Sequence, residues 1–434
     1  MVMASFGIGI GPGLHLVYKK TLLPNGLRVL TETMPSVRSA TVGIWADVGS
    51  AAESDERRGI SHVVEHMLFK GTDRRNARQI AETMDGVGGN LNAFTDKEST
   101  CYYAKVIDRH VPLALDVLAD MFLHSRFDPQ ELAKEQNVIL EEIKMYEDSP
   151  DELIHDVFLQ TMWRNSSLGE PTIGFADTVV RITPDDLRAH MRAHYAPNSV
   201  LIAAAGNVEH ERFVELVCEQ FAAFEGTCVR PKPQSPAATP ATHVRHKESE
   251  QAYVVVGSRG IDARDERRYA LSLLDTVLGG GMSSRLFQEI REQRGLVYSV
   301  YSFQAAYRAA GLFGVYAATS AENVQACVDV ILEQFGRARN ATIGEDEFHL
   351  AKEHIKGNLT LSLESTSGRM IRLGRNEFAF GRDVTPEEIE SRVDAVSAQD
   401  VQDLARELLV EENLGLCIIG PVDESAITWS NHAA

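Results

Sequence analysis

Cysteine is sparse in this chain. Five residues in 434, at Cys101, Cys218, Cys228, Cys327 and Cys417, are odd in number, scattered and never spaced as CxxC. That pattern speaks against a disulfide framework and a cysteine-built zinc site, and it fits a reducing cytoplasm. Long apolar runs are missing too. No stretch reaches the roughly 18 consecutive apolar residues that a membrane-spanning helix needs, so no integral membrane protein is expected. Positive charge is in deficit, 43 Lys and Arg against 62 Asp and Glu, for a net charge of −19. This argues against a nucleic-acid surface and in favour of cationic substrates. Residues 1–13 are glycine-rich and apolar but lack a basic start, a long apolar core and a cleavage site, so they read as a flexible leader rather than a signal peptide. Nor do Gly7, Gly9, Gly11 and Gly13 read as a phosphate loop, since no strand precedes them and no helix clearly follows.

What is present is an ordinary apolar fraction, 44%, in a chain long enough for two domains. The chain also repeats itself. Asp55-Glu56-Arg57-Arg58 recurs as Asp265-Glu266-Arg267-Arg268, at an offset of 210, and each copy follows a strand pattern. Val42, Ile44, Ala46 and Val48 alternate in the first copy, and residues 253–256 form a β-rich run in the second. Further on, Thr183-Pro184-Asp185-Asp186 and Ser397-Ala398-Gln399-Asp400 each open a helix, and apolar strands ending at Gly206 and Gly420 follow; both pairs sit at an offset of 214. The prolines of residues 230–243 mark an extended linker. Asp96-Lys97-Glu98-Ser99 marks a hairpin, hence antiparallel pairing. The expected class is α+β, with two homologous domains, each a largely antiparallel sheet packed on helices: residues 1–229, the linker 230–243, and residues 244–434.

The chemistry gathers at His62-Val63-Val64-Glu65-His66. On a helix the two histidines share a face about 6 Å apart along the axis, so both imidazoles reach one ion. Glu65 lies on the same side, where a carboxylate can take a proton from water at the metal. Two histidines on an amphipathic helix also serve packing, so a third ligand decides. A helix starting near Asp128-Pro129 offers Glu135 and Glu142, seven apart and on one face with Val138 and Met145, which suggests partial burial and a need for a cationic partner. Glu141 reads as a solvated neighbour. An exposed acidic face remains the alternative for the whole stripe.

These residues resemble the pitrilysin, insulin-degrading enzyme and mitochondrial processing peptidase family. Its H-x-x-E-H motif is followed about 76 residues later by a liganding glutamate, and Glu142 lies 76 residues after His66 (142 − 66). The segment GISHVVEHMLFKGT, residues 59–72, is close to the family consensus, and the likeness runs from about Leu27 to Val422. The resemblance implies a zinc-dependent metalloendopeptidase with Zn2+ held by His62, His66 and Glu142, Glu65 as general base and Glu135 supporting the site. It implies that Asn92 and Ala93 lie on an edge strand that pairs with extended substrate, and that Arg291 and Tyr298, seven apart after Gly279-Gly280-Gly281, bind substrate backbone near the scissile bond. Glu152 and Asp156, ten and fourteen residues after Glu142, match an acidic pair that reads basic residues near the cleavage site, although Pro150 interrupts the stretch. The smaller bacterial members are homodimers closed around a chamber, so Arg291 and Tyr298 are expected to act in the partner's site. At the 210 offset the motif residues become Ser272, Asp275 and Thr276, which cannot rebuild the metal site. The rival expectation is a non-catalytic core or scaffold subunit of a processing-peptidase-like complex. Such chains lose part of the motif, whereas it is whole here.

Overall fold

The computed structural model describes residues 17–230 and 232–429. The leader expected at residues 1–13 lies outside them. Two compact units emerge, each with its own sheet. In the first, β1 (Val17–Leu22), β2 (Arg28–Thr33), β3 (Ser39–Ala46), β4 (Asn90–Thr95), β5 (Thr100–Ile107) and β6 (Val200–Gly206) lie in the order β1-β2-β6-β3-β5-β4. All neighbours are antiparallel except β2 and β6. In the second, β7 (Thr242–His246), β8 (Ala252–Arg259), β9 (Val297–Ala306), β10 (Gly311–Thr319) and β11 (Gly415–Gly420) lie in the order β7-β11-β8-β10-β9. Only β7 and β11 run parallel there. Remove β1 and the two orders coincide strand for strand, so the repeat seen in short sequence matches is a repeat of topology.

The local signals behave as their chemistry requires. Thr183 and Ser397 each close a capping box, with Asp186 and Asp400. Asp96 ties the hairpin between β4 and β5 by accepting from the backbone N–H groups of Glu98 and Ser99.

The units are not divided at the linker. The first takes the described residues up to Ile143, Pro171–Lys232 and Ser362–Asp383; the second takes Lys144–Glu170, Pro233–Leu361 and the chain from Val384 onward. The linear division into residues 1–229 and 244–434 is corrected accordingly, and the reason is that each sheet is covered on both faces. In the first unit one face packs on the helices Val111–His124 and His210–Gln220, and the other on Thr366–Phe380. Met370 and Leu373 of that last helix join Leu30, Trp45, Leu201 and Ala203 in a buried cluster. In the second unit the helix Pro150–Met162 packs on β8 and β11.

Double coverage explains why β3 and β6 are buried along almost their whole length instead of alternating. It also explains two glycines at the 214 offset. A Cβ on Gly43 of β3 would lie 2.5 Å from Met370 Sδ, and one on Gly257 of β8 would lie 2.6 Å from the Phe158 ring. In both sheets the missing side chain admits the covering helix.

Candidate metal centre

The motif helix runs Ile60–Leu68 and buries Ile60, Ser61, Val63, Val64, Met67 and Leu68, leaving His62, Glu65 and His66 on its less buried side. Its start is fixed from a distance. The carboxylate of Glu53 accepts from Gly59 N at 2.7 Å and from Ser61 N at 2.8 Å, so a side chain several residues upstream satisfies two of the helix's free donors. Burial pushes Glu53 up to about 7 despite these two donors. Gly59 has φ +90°, and a Cβ there would lie 2.6 Å from the carbonyl of Ile173, so this entry to the helix admits only glycine.

Glu142 comes from the helix Pro129–Glu147. Its Oε2 stands 3.7 Å from His66 Nε2 and 4.0 Å from His62 Nε2, and the imidazole centroids are 4.5 Å apart. Among the described residues these three form the one cluster whose ligand atoms converge, all within 4.8 Å of one another. Around a tetrahedral ion with bonds of about 2.0–2.2 Å, ligand atoms stand roughly 3.3–3.6 Å apart, so small rotations bring the set onto one ion. Two nitrogens and a carboxylate suit a borderline divalent metal with one position left open. Burial and the neighbouring His66 depress His62 to about 3, which keeps it in the neutral form that a metal needs.

Outer partners complete the site. His66 Nδ1 lies 3.1 Å from Glu135 Oε2, the arrangement that leaves Nε2 free to bind metal. Glu135 is buried, as the partial-burial expectation required, but the apolar stripe assigned to it is not. Val138 and Met145 are 45% and 70% exposed, and the helix instead buries Leu132 and Ile139 beside Glu135. Glu141 is exposed. Glu65 Oε2 accepts from Thr95 Oγ1 at 2.5 Å. Burial raises the Glu65 pKa in the metal-free chain, while Thr95 and His66 hold it down.

The profile described as "Insulinase (Peptidase family M16)" matches residues 28–175, and that described as "Peptidase M16 inactive domain" matches residues 181–355. The chain belongs to peptidase family M16. It is 44% identical over 403 residues to a Bacillus subtilis protein named uncharacterized zinc protease YmxG, covering 93% of this chain and 98% of the relative. It is 35% identical over 418 residues to the probable mitochondrial-processing peptidase subunit beta of Arabidopsis thaliana, covering 93% of this chain and 78% of the relative. A solved protease from Helicobacter pylori shares the fold at a TM-score of 0.87 and 22% identity, over 94% of this chain and all of the other (100%).

Among the described residues of this M16 chain the second unit carries no counterpart of the cluster. On the helix Arg268–Gly279, Ser272 and Thr276 turn their hydroxyls back onto helix carbonyls, and burial raises the pKa of Asp275, which pairs with Gln304.

The remaining predicted residues divide between the units. Asn92 and Ala93 lie on β4, the edge strand of the first sheet, where Asn92 Oδ1 accepts from Ala93 N at 2.8 Å. Arg291 and Tyr298 belong to the second unit. Arg291 sits on a π-helical segment, Phe287–Gln293, a rare geometry frequent at functional sites. Its guanidinium lies 5.7 Å from the centre of the Tyr298 ring, which is 73% exposed. Glu152 and Asp156 are also in the second unit. The helix they were expected to share with Glu142 ends at Glu147, and a new one, Pro150–Met162, begins with proline at its first turn. There Asp156 accepts from the Tyr146 hydroxyl at 3.2 Å.

Sequence reasoning did not assign Glu53, Thr95 or Lys70 a part in the site. Thr95 and Lys70 sit inside segments that carried the family likeness, but only tertiary geometry reveals what their side chains hold.

Among the described residues no helix is long and apolar enough to cross a membrane. All five cysteines are free.

Proposed function

We propose that this chain is a zinc-dependent endopeptidase that hydrolyses internal bonds of peptides or unfolded segments. The observation that carries the reading is the convergence of His62, His66 and Glu142 beside a carboxylate, Glu65, that Thr95 holds in place. When bound, zinc supplies Lewis acidity toward the scissile carbonyl and the attacking water. Glu65 takes the proton of that water and returns it to the leaving amine, so one carboxylate serves both halves of the reaction. Glu135 fixes His66 by accepting its Nδ1–H. An extended substrate adds as a strand along β4 at Asn92 and Ala93, satisfying its backbone there rather than through particular side chains. The Asn92 side chain now on Ala93 N must then swing away.

On the same reading Arg291 and Tyr298 engage substrate backbone in the site of a partner copy, making the working form a homodimer closed around a chamber. Tyr298 donates to a developing oxyanion and Arg291 to a substrate carbonyl. Glu152, Asp156 and the net charge of −19 support a preference for basic residues near the cleavage site. The free cysteines support a reducing, cytoplasmic setting. A non-catalytic scaffold role is disfavoured because every motif position is intact.

The test joins metal analysis of the purified full chain with cleavage-site mapping on a mixed peptide library and a solution mass. Bound zinc, internal cuts enriched beside Lys or Arg, and twice the chain mass are expected. A metal-loaded protein that cuts nothing would return the scaffold reading, and a fully active monomer would remove the shared site.

A pH dependence follows. Thr95 lowers the Glu65 pKa against burial, so Thr95→Val is expected to raise it further and keep the base protonated to higher pH. The acidic limb of the kcat/KM profile should move toward neutrality. The loss on that limb should be up to roughly tenfold, the net worth of one hydrogen bond of about 0.5–1.5 kcal/mol. An unshifted limb would show that Thr95 does not tune the base.

A further inference from the structure

Glu135 has two oxygens, and only one of them faces His66. The other, Oε1, lies 2.7 Å from the ammonium of Lys70, so the buried carboxylate is held at both ends. Lys70 stands where it does because the motif helix ends there. Phe69 N donates to His66 O and Lys70 N to Met67 O. Gly71, at φ +116°, then turns the chain, a conformation that few residues other than glycine adopt. One short segment therefore presents His66 from its last turn and Lys70 from its exit, with Glu135 between them. His66 satisfies one oxygen of this buried carboxylate through a single N–H while its Nε2 faces Glu142, so the other oxygen needs a donor of its own. Lys70 is the cation in contact.

We propose that Lys70 is a positioning residue of the metal centre: its ammonium holds Oε1 of Glu135 and so keeps Oε2 oriented to accept the His66 Nδ1–H, which commits Nε2 to the metal. This rests on the reading of His62, His66 and Glu142 as a metal site. The alternative role for a lysine so placed is plain electrostatic repulsion of the cation, and the two roles differ in sign. If Lys70 only repels, its removal tightens metal binding. If Lys70 positions, its removal weakens binding, because Glu135, held at one end only, turns away and His66 loses its anchor.

The experiment is a competition titration of the metal-free full chain with Zn2+ and Co2+, followed by the visible spectrum of the cobalt form. Lys70→Met is expected to weaken binding by about tenfold, at the lower end of the 10–100-fold typical of outer partners, and to alter the cobalt spectrum. Lys70→Arg should restore affinity to within a few-fold. The double variant Lys70→Met/Glu135→Gln should bind no more weakly than Glu135→Gln alone, since both changes break one device. Affinity unchanged or increased in Lys70→Met, or additive losses in the double variant, would overturn the proposal. Should Lys70→Met not fold, Lys70→Leu carries the same test, since it too removes the donor. Failure of the underlying metal reading looks different: the unaltered chain would bind no metal that His62→Ala abolishes, whatever Lys70 does.

Discussion

Glu65→Gln should keep its metal and lose its turnover. The substitution is nearly isosteric, leaves His62, His66 and Glu142 untouched, and still accepts from Thr95 Oγ1 through its amide oxygen. What disappears is the ability to take a proton. General acid–base catalysis by a placed side chain is worth about 10²–10⁴-fold, and here both the attack and the departure of the amine draw on the same group, so the upper half of that range is expected in kcat. KM should move little, because Glu65 is not needed to bind peptide backbone. Metal analysis and steady-state cleavage of one peptide, measured on the same preparation, settle the matter. A metal-replete Glu65→Gln protein with turnover within a few-fold of the unaltered chain would exclude Glu65 as the base.

Glu142→Gln should fail in the opposite manner, losing activity because it loses the ion. Glu142 supplies the anionic member of a donor set whose other members are neutral imidazoles, and it comes from a different helix, so nothing else holds the two histidines to a third point. An amide oxygen is a poorer ligand for a dication than a carboxylate. The loss in affinity should exceed the roughly 10–100-fold that outer partners typically cost. After dialysis against a weak chelator the protein should be nearly metal-free, and millimolar zinc should restore part of its activity. Full metal content would place the third ligand elsewhere. The two variants thus separate the proton from the ion: both inactive, one loaded and one empty.

The metal centre was legible because its first half is local. The four-residue spacing from His62 to His66 fixes a shared face whatever the rest of the chain does, and the cap signals at Thr183 and Ser397 are local in the same sense. Glu142 needed a long-range step, and a spacing of 76 residues has meaning only through family likeness. Elsewhere, local signals do not say what a helix packs against. The helix Pro150–Met162 plainly needs an apolar surface, yet nothing in its own sequence says that the surface is β8 and β11 rather than the sheet formed by the residues before it. A clue lay in the strands. An unbroken apolar run such as Val200–Gly206 asks for cover on both faces, and Gly43 on β3 and Gly257 on β8 mark where such cover presses in. On the helix bearing Glu142, the expected stripe through Val138 and Met145 failed because spacing alone does not say which side of a helix is turned inward; Leu132 and Ile139 face the core instead. Glu53, Thr95 and Lys70 act through contacts made at distances in sequence that no periodicity records.

The covering helices also decide what the duplication has become. Each half of the chain, taken at the linker, owns one helix that completes the other half's hydrophobic interior: Pro150–Met162 is lent forward and Thr366–Phe380 is lent back. The two topologically equivalent copies depend on one another for a covered sheet. A nick within residues 230–243 should therefore leave fragments that stay together as a complementing pair, whereas either fragment made alone would leave one broad apolar sheet face bare. The second copy needs no metal ligands to be indispensable: the exchanged helices make each half part of the other's folding.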